Sequence, residues 1–341
     1  QGVTVLPSPT STAEELRTGH MGQAGRLPGP RRKRRGPSSW LQGTPWTGLA
    51  RAGTLAAVFN VAAGVYSDPC EDYSGSRTDF VNHTLFTEVL RENVRPGTIA
   101  GVDAMLVDYA NIRKDASKLT AYQLQLCDVD LDSLSLAARV ALLCNAYNAI
   151  MIAIIVGYDP DESVVELSSR IPEGGIWTAL LGTVAGRKVS LDDLEHVMIR
   201  GGLSREADVQ GLVHAGVVCG SLSCPDIQTE AFEADTLRSQ LIAATRRWLG
   251  NPTKNPGPRD GALVVSKIFD WYAGDFVSSA GSVVEYARMY STWQLEDNMP
   301  VRYEPYNWAL NSINSTGAWS GCPRGGLSLS LAALVILSLR S

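Results

Sequence analysis

Ser133 to Val156 reads SLSLAARVALLCNAYNAIMIAIIV and is followed by Gly157. The stretch holds one charged residue, Arg139, and no proline. Its length and its Ala, Leu and Ile content predict a helix, with Gly157 as the C-terminal cap. A helix that is apolar on every side belongs in a core. This one also carries Cys144, Asn145, Tyr147 and Asn148. Asn145 and Asn148 are three apart and share a face. Buried amides need partners, so they either tie neighbouring loops to the core or line a site.

Shorter elements surround this helix. Phe80–Arg95 and Asp103–Ala116 read as amphipathic helices. Thr183–Val189 reads as a hairpin or short strand. Ser190-Leu191-Asp192-Asp193 resembles a capping box that opens a helix over Leu191–Arg200, stopped by Gly201-Gly202. Leu212 to Val218 is an apolar run that predicts a short buried strand. It leads into Cys219-Gly220-Ser221-Leu222-Ser223-Cys224-Pro225, a loop composition. Ala234–Leu249 reads as a helix, Ala262–Phe269 as a strand and Asp275–Tyr290 as a helix. The expected fold is therefore α+β: a single domain with a small, mainly antiparallel sheet flanked by helices around one buried central helix.

Charge separates the chain into parts. Residues 1–67 hold eight basic residues against Glu14 and Glu15, and the remaining residues hold 22 basic against 33 acidic. An acidic body behind a basic leader is not a nucleic-acid-binding pattern. Residues 1–45 are rich in Gly, Pro and Arg and read as disordered. The uncharged run AGTLAAVFNVAAGVYS, Ala52 to Ser67, is too short to span a bilayer but fits a signal-peptide core. An organelle transit peptide and a buried N-terminal helix are the competing readings. Domain expectations follow: a leader over 1–67, a globular domain over 68–320 and a hydrophobic tail over 321–341. That tail, after Gly325-Gly326, fits a glycosylphosphatidylinositol signal or a terminal helix. Asn82-His83-Thr84 and Asn314-Ser315-Thr316 are glycosylation sequons. A secreted or cell-surface protein, with attachment to the membrane through the tail, is the expectation these signals favour.

The motifs occur in a fixed order. They are Asn145-Ala146-Tyr147-Asn148, Leu191-Asp192-Asp193-Leu194-Glu195-His196 with Arg200, and His214 with the Cys219–Pro225 segment. Ser266-Lys267-Ile268-Phe269, Trp271-Tyr272, Asp275-Phe276 and Tyr306-Asn307-Trp308-Ala309-Leu310-Asn311 follow. Residues 80–311 thereby resemble the family called domain of unknown function 547, most densely from 135 to 276. Asn307 stands where that family usually has Asp, and Cys144 where an aromatic or aliphatic residue is common. The resemblance implies a fold and a pocket, and it names no substrate. The leucine-zipper region that precedes the domain in many plant members is not visible.

Few side chains are reactive. His20 is in the leader and His83 in a sequon, which leaves His196 and His214. Cys219 at the end of the predicted strand is the candidate nucleophile, because a thiol beside a base or positive field becomes thiolate near neutral pH. Five residues of strand span about 16 Å, so His214 would be out of its reach. By elimination the base is His196, with Glu195 or Asn148 orienting it. Ser221 and Ser223 flank the thiol, and Lys267 with Asn145 and Asn148 are candidate wall residues. Metal binding by Cys219, Cys224, His196 and His214 is an alternative at the loose end of zinc spacing. A structural Cys219–Cys224 disulfide in a non-catalytic binding module, with His214 a satisfied core histidine, is the other. There is no Gly-rich phosphate loop and no HExxH, and no cofactor is indicated. A thiol-dependent hydrolase or transferase of papain or transglutaminase type, acting on an unknown small molecule or peptide, stands against a ligand- or protein-binding module.

Overall fold

The central helix forms as expected, displaced by two or three residues: Leu136–Tyr158, with the Ser135 hydroxyl accepting from the Ala138 N–H. The computed structural model describes residues 66–171 and 174–317. The leader, the signal-like segment up to Val65 and the C-terminal tail lie outside the described residues. Every residue from Val140 to Val156 is buried. The helix is long and apolar enough to cross a membrane, but 94% of its most apolar window is buried inside the protein. It is a core helix here. Its end is set by Asp159 in the left-handed region (φ 46°), not by Gly157. Gly157 lies within the helix because Tyr66 packs against it. A Cβ there would come within 2.9 Å of the Tyr66 Cα.

Around this helix the fold is α+β, and the strands form three separate sheets among the described residues, not one. β1 (Val94–Ile99) pairs antiparallel with β2 (Val102–Val107), and β3 (Gly182–Val184) with β4 (Arg187–Val189). β5 (Gly257–Arg259) pairs antiparallel with β6 (Ala262–Ser266), which pairs parallel with β7 (Val301–Glu304). Several boundaries depart from the sequence pattern. The first helix is Thr84–Asn93, shorter than Phe80–Arg95. The expected helix over Asp103–Ala116 is wrong in its first half, which is β2, followed by a short helix over Tyr109–Lys114. Pairing with β1 overrode the local propensity there. The helix expected over Asp275–Tyr290 breaks into Ala273–Ala280 and Val283–Tyr290, because Gly281 adopts φ 87° between them.

The largest correction concerns Leu212–Val218. Leu212–Ala215 is a turn of 3-10 helix, not a strand. Its residues are buried, so the apolar run is right and its period is not. Apolar runs of this length do not distinguish the two. A disulfide that the spacing did not announce joins Cys70 to Cys127.

Candidate active site

Asn148 positions the reactive loop. Its Nδ2 donates to the Gly216 carbonyl and its Oδ1 accepts from the Val218 N–H, at 2.8 and 2.9 Å. One turn earlier, Asn145 makes the same two-way bond with the Phe232 backbone. Both amides thus tie loops to the core, and neither lines the cavity described below. Beyond Val218 the chain turns at Gly220 (φ 77°), where a Cβ would stand 2.6 Å from Ile155 Cδ1 of the central helix. A side chain at that position would be strained by the conformation and would have to displace the end of Ile155. The far end of the loop is held by buried Lys254, which donates to the Cys224 carbonyl and pairs with Asp226, both at 2.7 Å.

The loop is also stitched to residues 306–311. Leu222 N–H donates to Ala309 O and Asn311 N–H to Gly220 O. Ser223 Oγ accepts from the Asn307 N–H at 2.8 Å, so Ser223 faces this stitching and not the cavity. The Asn307 Oδ1 accepts from the Ala309 N–H. An amide oxygen serves there as a carboxylate would, which accounts for Asn in the place of Asp. These bonds bring Tyr306 onto the thiol.

Cys219 is free and partly exposed. Its Sγ lies 3.1 Å from Ser221 Oγ, 3.1 Å from Cys224 Sγ and 3.3 Å from the Tyr306 hydroxyl. Burial by itself pushes this thiol up. Hydrogen bonds with Cys224, Ser221 and Tyr306 outweigh it and hold the thiol at about 7, below its ordinary value. Cys224 is pushed well above the usual range, by burial first and then by its hydrogen bond with the Cys219 sulfur. Its sulfur also accepts from the Cys219 N–H at 3.0 Å. The two cysteines are thus shifted in opposite directions, Cys219 down and Cys224 up. Buried Cys144, pushed up to about 12 by burial and then by Glu195, is inert.

A second cluster centres on Asp275. Its carboxylate accepts from Arg200 Nε at 2.6 Å, His214 Nε2 at 2.8 Å and Gln210 Nε2 at 3.1 Å. Burial would raise its pKa, but His214 and Arg200 hold it well below the usual carboxylate range. The His214 ring stacks on Tyr272 at 4.4 Å, and the Arg200 guanidinium stands over the same ring at 4.6 Å. An ionised carboxylate only accepts, so His214 Nε2 is the donor to Asp275, and in the neutral ring Nδ1 is the nitrogen left with a lone pair. A guanidinium only donates, so His196 Nδ1 accepts from Arg200 at 2.6 Å and its lone pair is used. His196 Nε2 faces Asp192 at 3.7 Å. Burial, with the charges of Glu195 and Asp193, raises Asp192 to about 6 against the opposing pull of His196.

Both clusters open onto one cavity of about 130 Å³. Cys219, Cys224, His214, His196, Glu195 and Asp192 contribute to its wall. So do four clustered rings, Trp177, Trp271, Tyr306 and Trp308, the closest pair 4.4 Å apart. Of the residues the sequence singled out, Cys219, His196, Glu195 and His214 meet at this cavity, and Ser221 supports the thiol from behind. Lys267 pairs with Asp270 at 2.6 Å and lies over Tyr303, away from the cavity wall. Cys219 and Cys224 are not bonded, and the strand that separated His214 from Cys219 does not exist. Among the described residues no group of three or more His, Cys, Asp or Glu side chains is placed to hold a metal ion. Residues that sequence reasoning passed over are Tyr306, Asp275, Arg200 and the tryptophans. All but Trp177 stood inside the quoted motifs, but one sequence does not distinguish a packing aromatic from one that touches a thiol.

Residues 131–249 match the family model described as Protein of unknown function, DUF547. The resemblance drawn from the motifs is shown over those residues. No curated protein and no solved structure matches the chain. The DUF547 match takes in the central helix, the Glu195-His196 helix, His214 and the Cys219–Cys224 loop. Asp275 and Tyr306, which complete the two clusters, lie outside it.

Proposed function

We propose that this cavity is the active site of a thiol-dependent hydrolase or transferase in which Cys219 is the nucleophile and His214, oriented by Asp275, is the base. The observation that carries the reading is the lowered Cys219 thiol, free and facing a cavity it shares with a histidine whose outer nitrogen is bonded to a carboxylate. Orientation of a base by a third group is the general logic of activated nucleophiles. The free lone pair on His214 favours it over His196. In the proposed cycle the Cys219 proton passes to His214 Nδ1 and the thiolate adds to a carbonyl carbon. The leaving group takes the proton from the same nitrogen. Water or an amine, deprotonated there, then breaks the thioester and returns the thiol. The substrate class is a small carbonyl compound or peptide whose reacting end enters between the aromatic rings and the loop.

The rival is a non-catalytic binding module. It is favoured by the environment of His214, which is 3% exposed and bonded as a structural histidine would be. The pH profile of Cys219 alkylation by iodoacetamide separates the two. The catalytic reading expects an apparent pKa near 7, raised toward the free value of about 8.5 in His214→Ala and unchanged in His196→Ala. A Cys219 that resists alkylation in the folded protein overturns it in favour of the binding module.

We also infer secretion or cell-surface display, with organelle import as the alternative. The Cys70–Cys127 disulfide suits an oxidising compartment, and the sequon residues Asn82 and Asn314 are exposed. Membrane attachment through the apolar tail is part of the same proposal. Mobility shifts of secreted material on peptide N-glycosidase treatment support it, and retention of all the protein in the cytosol counts against it.

A further inference from the structure

The geometry points to a reversible redox couple at the mouth of this cavity, in which Cys219 and Cys224 close a disulfide by exchange with a low-molecular-weight disulfide and so switch off the thiol. The inference rests on the Cys219 thiolate proposed above. Three observations carry it. The two sulfurs stand 3.1 Å apart, and a disulfide needs about 2.05 Å, so closure asks for a shift on the order of 1 Å. Both ends of the loop are anchored, at Val218 by Asn148 and at Cys224 by Lys254, which keeps the sulfurs facing each other. Their environments differ as those of an attacking and a resolving thiol should. Both line the cavity, but Cys219 is partly exposed whereas Cys224 is only 4% exposed.

The chemistry balances with glutathione disulfide as oxidant. The Cys219 thiolate attacks one sulfur, forming a mixed disulfide and releasing one glutathione thiolate. The Cys224 thiol then loses its proton and attacks the Cys219 sulfur, forming the internal bond and expelling the second glutathione, which takes up the proton. The protein loses two electrons and the small disulfide gains them. Bridging removes the nucleophile and one of its hydrogen-bond partners together. A small thiol in excess reverses it.

The test uses the full-length reduced protein. It is treated with glutathione disulfide, quenched with iodoacetamide and mapped by peptide mass. The couple predicts a Cys219–Cys224 peptide that is unalkylated, lighter by the two lost hydrogens and restored by dithiothreitol. Cys224→Ser should accumulate glutathione on Cys219, and Cys219→Ser should leave Cys224 unmodified under the same conditions. The wild-type measurement stands by itself if a variant fails to fold. Glutathione that persists on wild-type Cys219, or alkylation of both cysteines after oxidant, overturns the couple. If Cys219 still alkylates with a pKa near 7 in that case, the nucleophile reading survives. A Cys219 inert to both reagents overturns both.

Discussion

His214 Nε2 donates to the Asp275 carboxylate at 2.8 Å, on the same oxygen that Arg200 Nε reaches at 2.6 Å. One buried carboxylate thus orients a histidine of the cavity wall and the arginine whose other end bonds His196. Asp275→Ala leaves three donors unpaired and should destabilise the protein at neutral pH by about 3–5 kcal/mol. The sign with pH is defined. The folded pKa of Asp275 is depressed. Its contribution is present above the unfolded value of about 3.9 and is lost as pH falls below it. Denaturant unfolding at neutral and acidic pH should show the gap between wild type and Asp275→Ala narrowing in acid. A gap that is constant or widens in acid removes the assignment.

Tyr306 and Ser221 should control the thiol. Tyr306→Phe keeps the ring and removes one donor to the Cys219 sulfur. The apparent thiol pKa should rise from about 7 toward about 8.5, and Ser221→Ala should act in the same direction. Alkylation rates against pH measure both. An unchanged profile in the two variants means that these hydroxyls do not hold the thiolate.

Asn148→Leu is nearly isosteric but strands the Gly216 carbonyl and the Val218 N–H beside the helix. A loss of roughly 1–3 kcal/mol is expected in urea or guanidinium unfolding. Because the loop it holds ends in Cys219, alkylation at neutral pH should change as well. Unaltered stability would show that the clamp contributes nothing.

The Cys70–Cys127 bridge closes a loop with a sequence separation of 57. Chain-entropy reasoning gives about 4 kcal/mol for a loop of that length. Cys70→Ser should lower stability by that order, and dithiothreitol should lower the wild type equally while leaving the variant unaffected. Equal midpoints for wild type and variant would contradict it.

Some of this protein was settled by the order of its residues. An almost uncharged run from Ser133 to Val156 has no stable place but a core, so the central helix was readable at once. Its two amides had to be paired, since a buried polar group without a partner is costly. The same local chemistry marked the reciprocal bonds of Ser190 and Asp193. It also marked the Gly- and Ser-rich loop as the place where a thiol would be displayed.

Tertiary structure decided which groups meet that thiol. The apolar Leu212–Val218 suits a strand or a tight helical turn equally, because burial selects hydrophobic character and not backbone period. That choice brought His214, excluded by strand geometry, to the wall of the cavity that Cys219 also lines. Asp275 and Tyr306 are 61 and 87 residues from the groups they bond. Neither pairing leaves a local signature, because a contact across the fold depends on how helices and loops pack, not on spacing along the chain. The lowered Cys219 thiol combines the two: Ser221 and Cys224 approach it from within its own loop, and Tyr306 reaches it from 87 residues away.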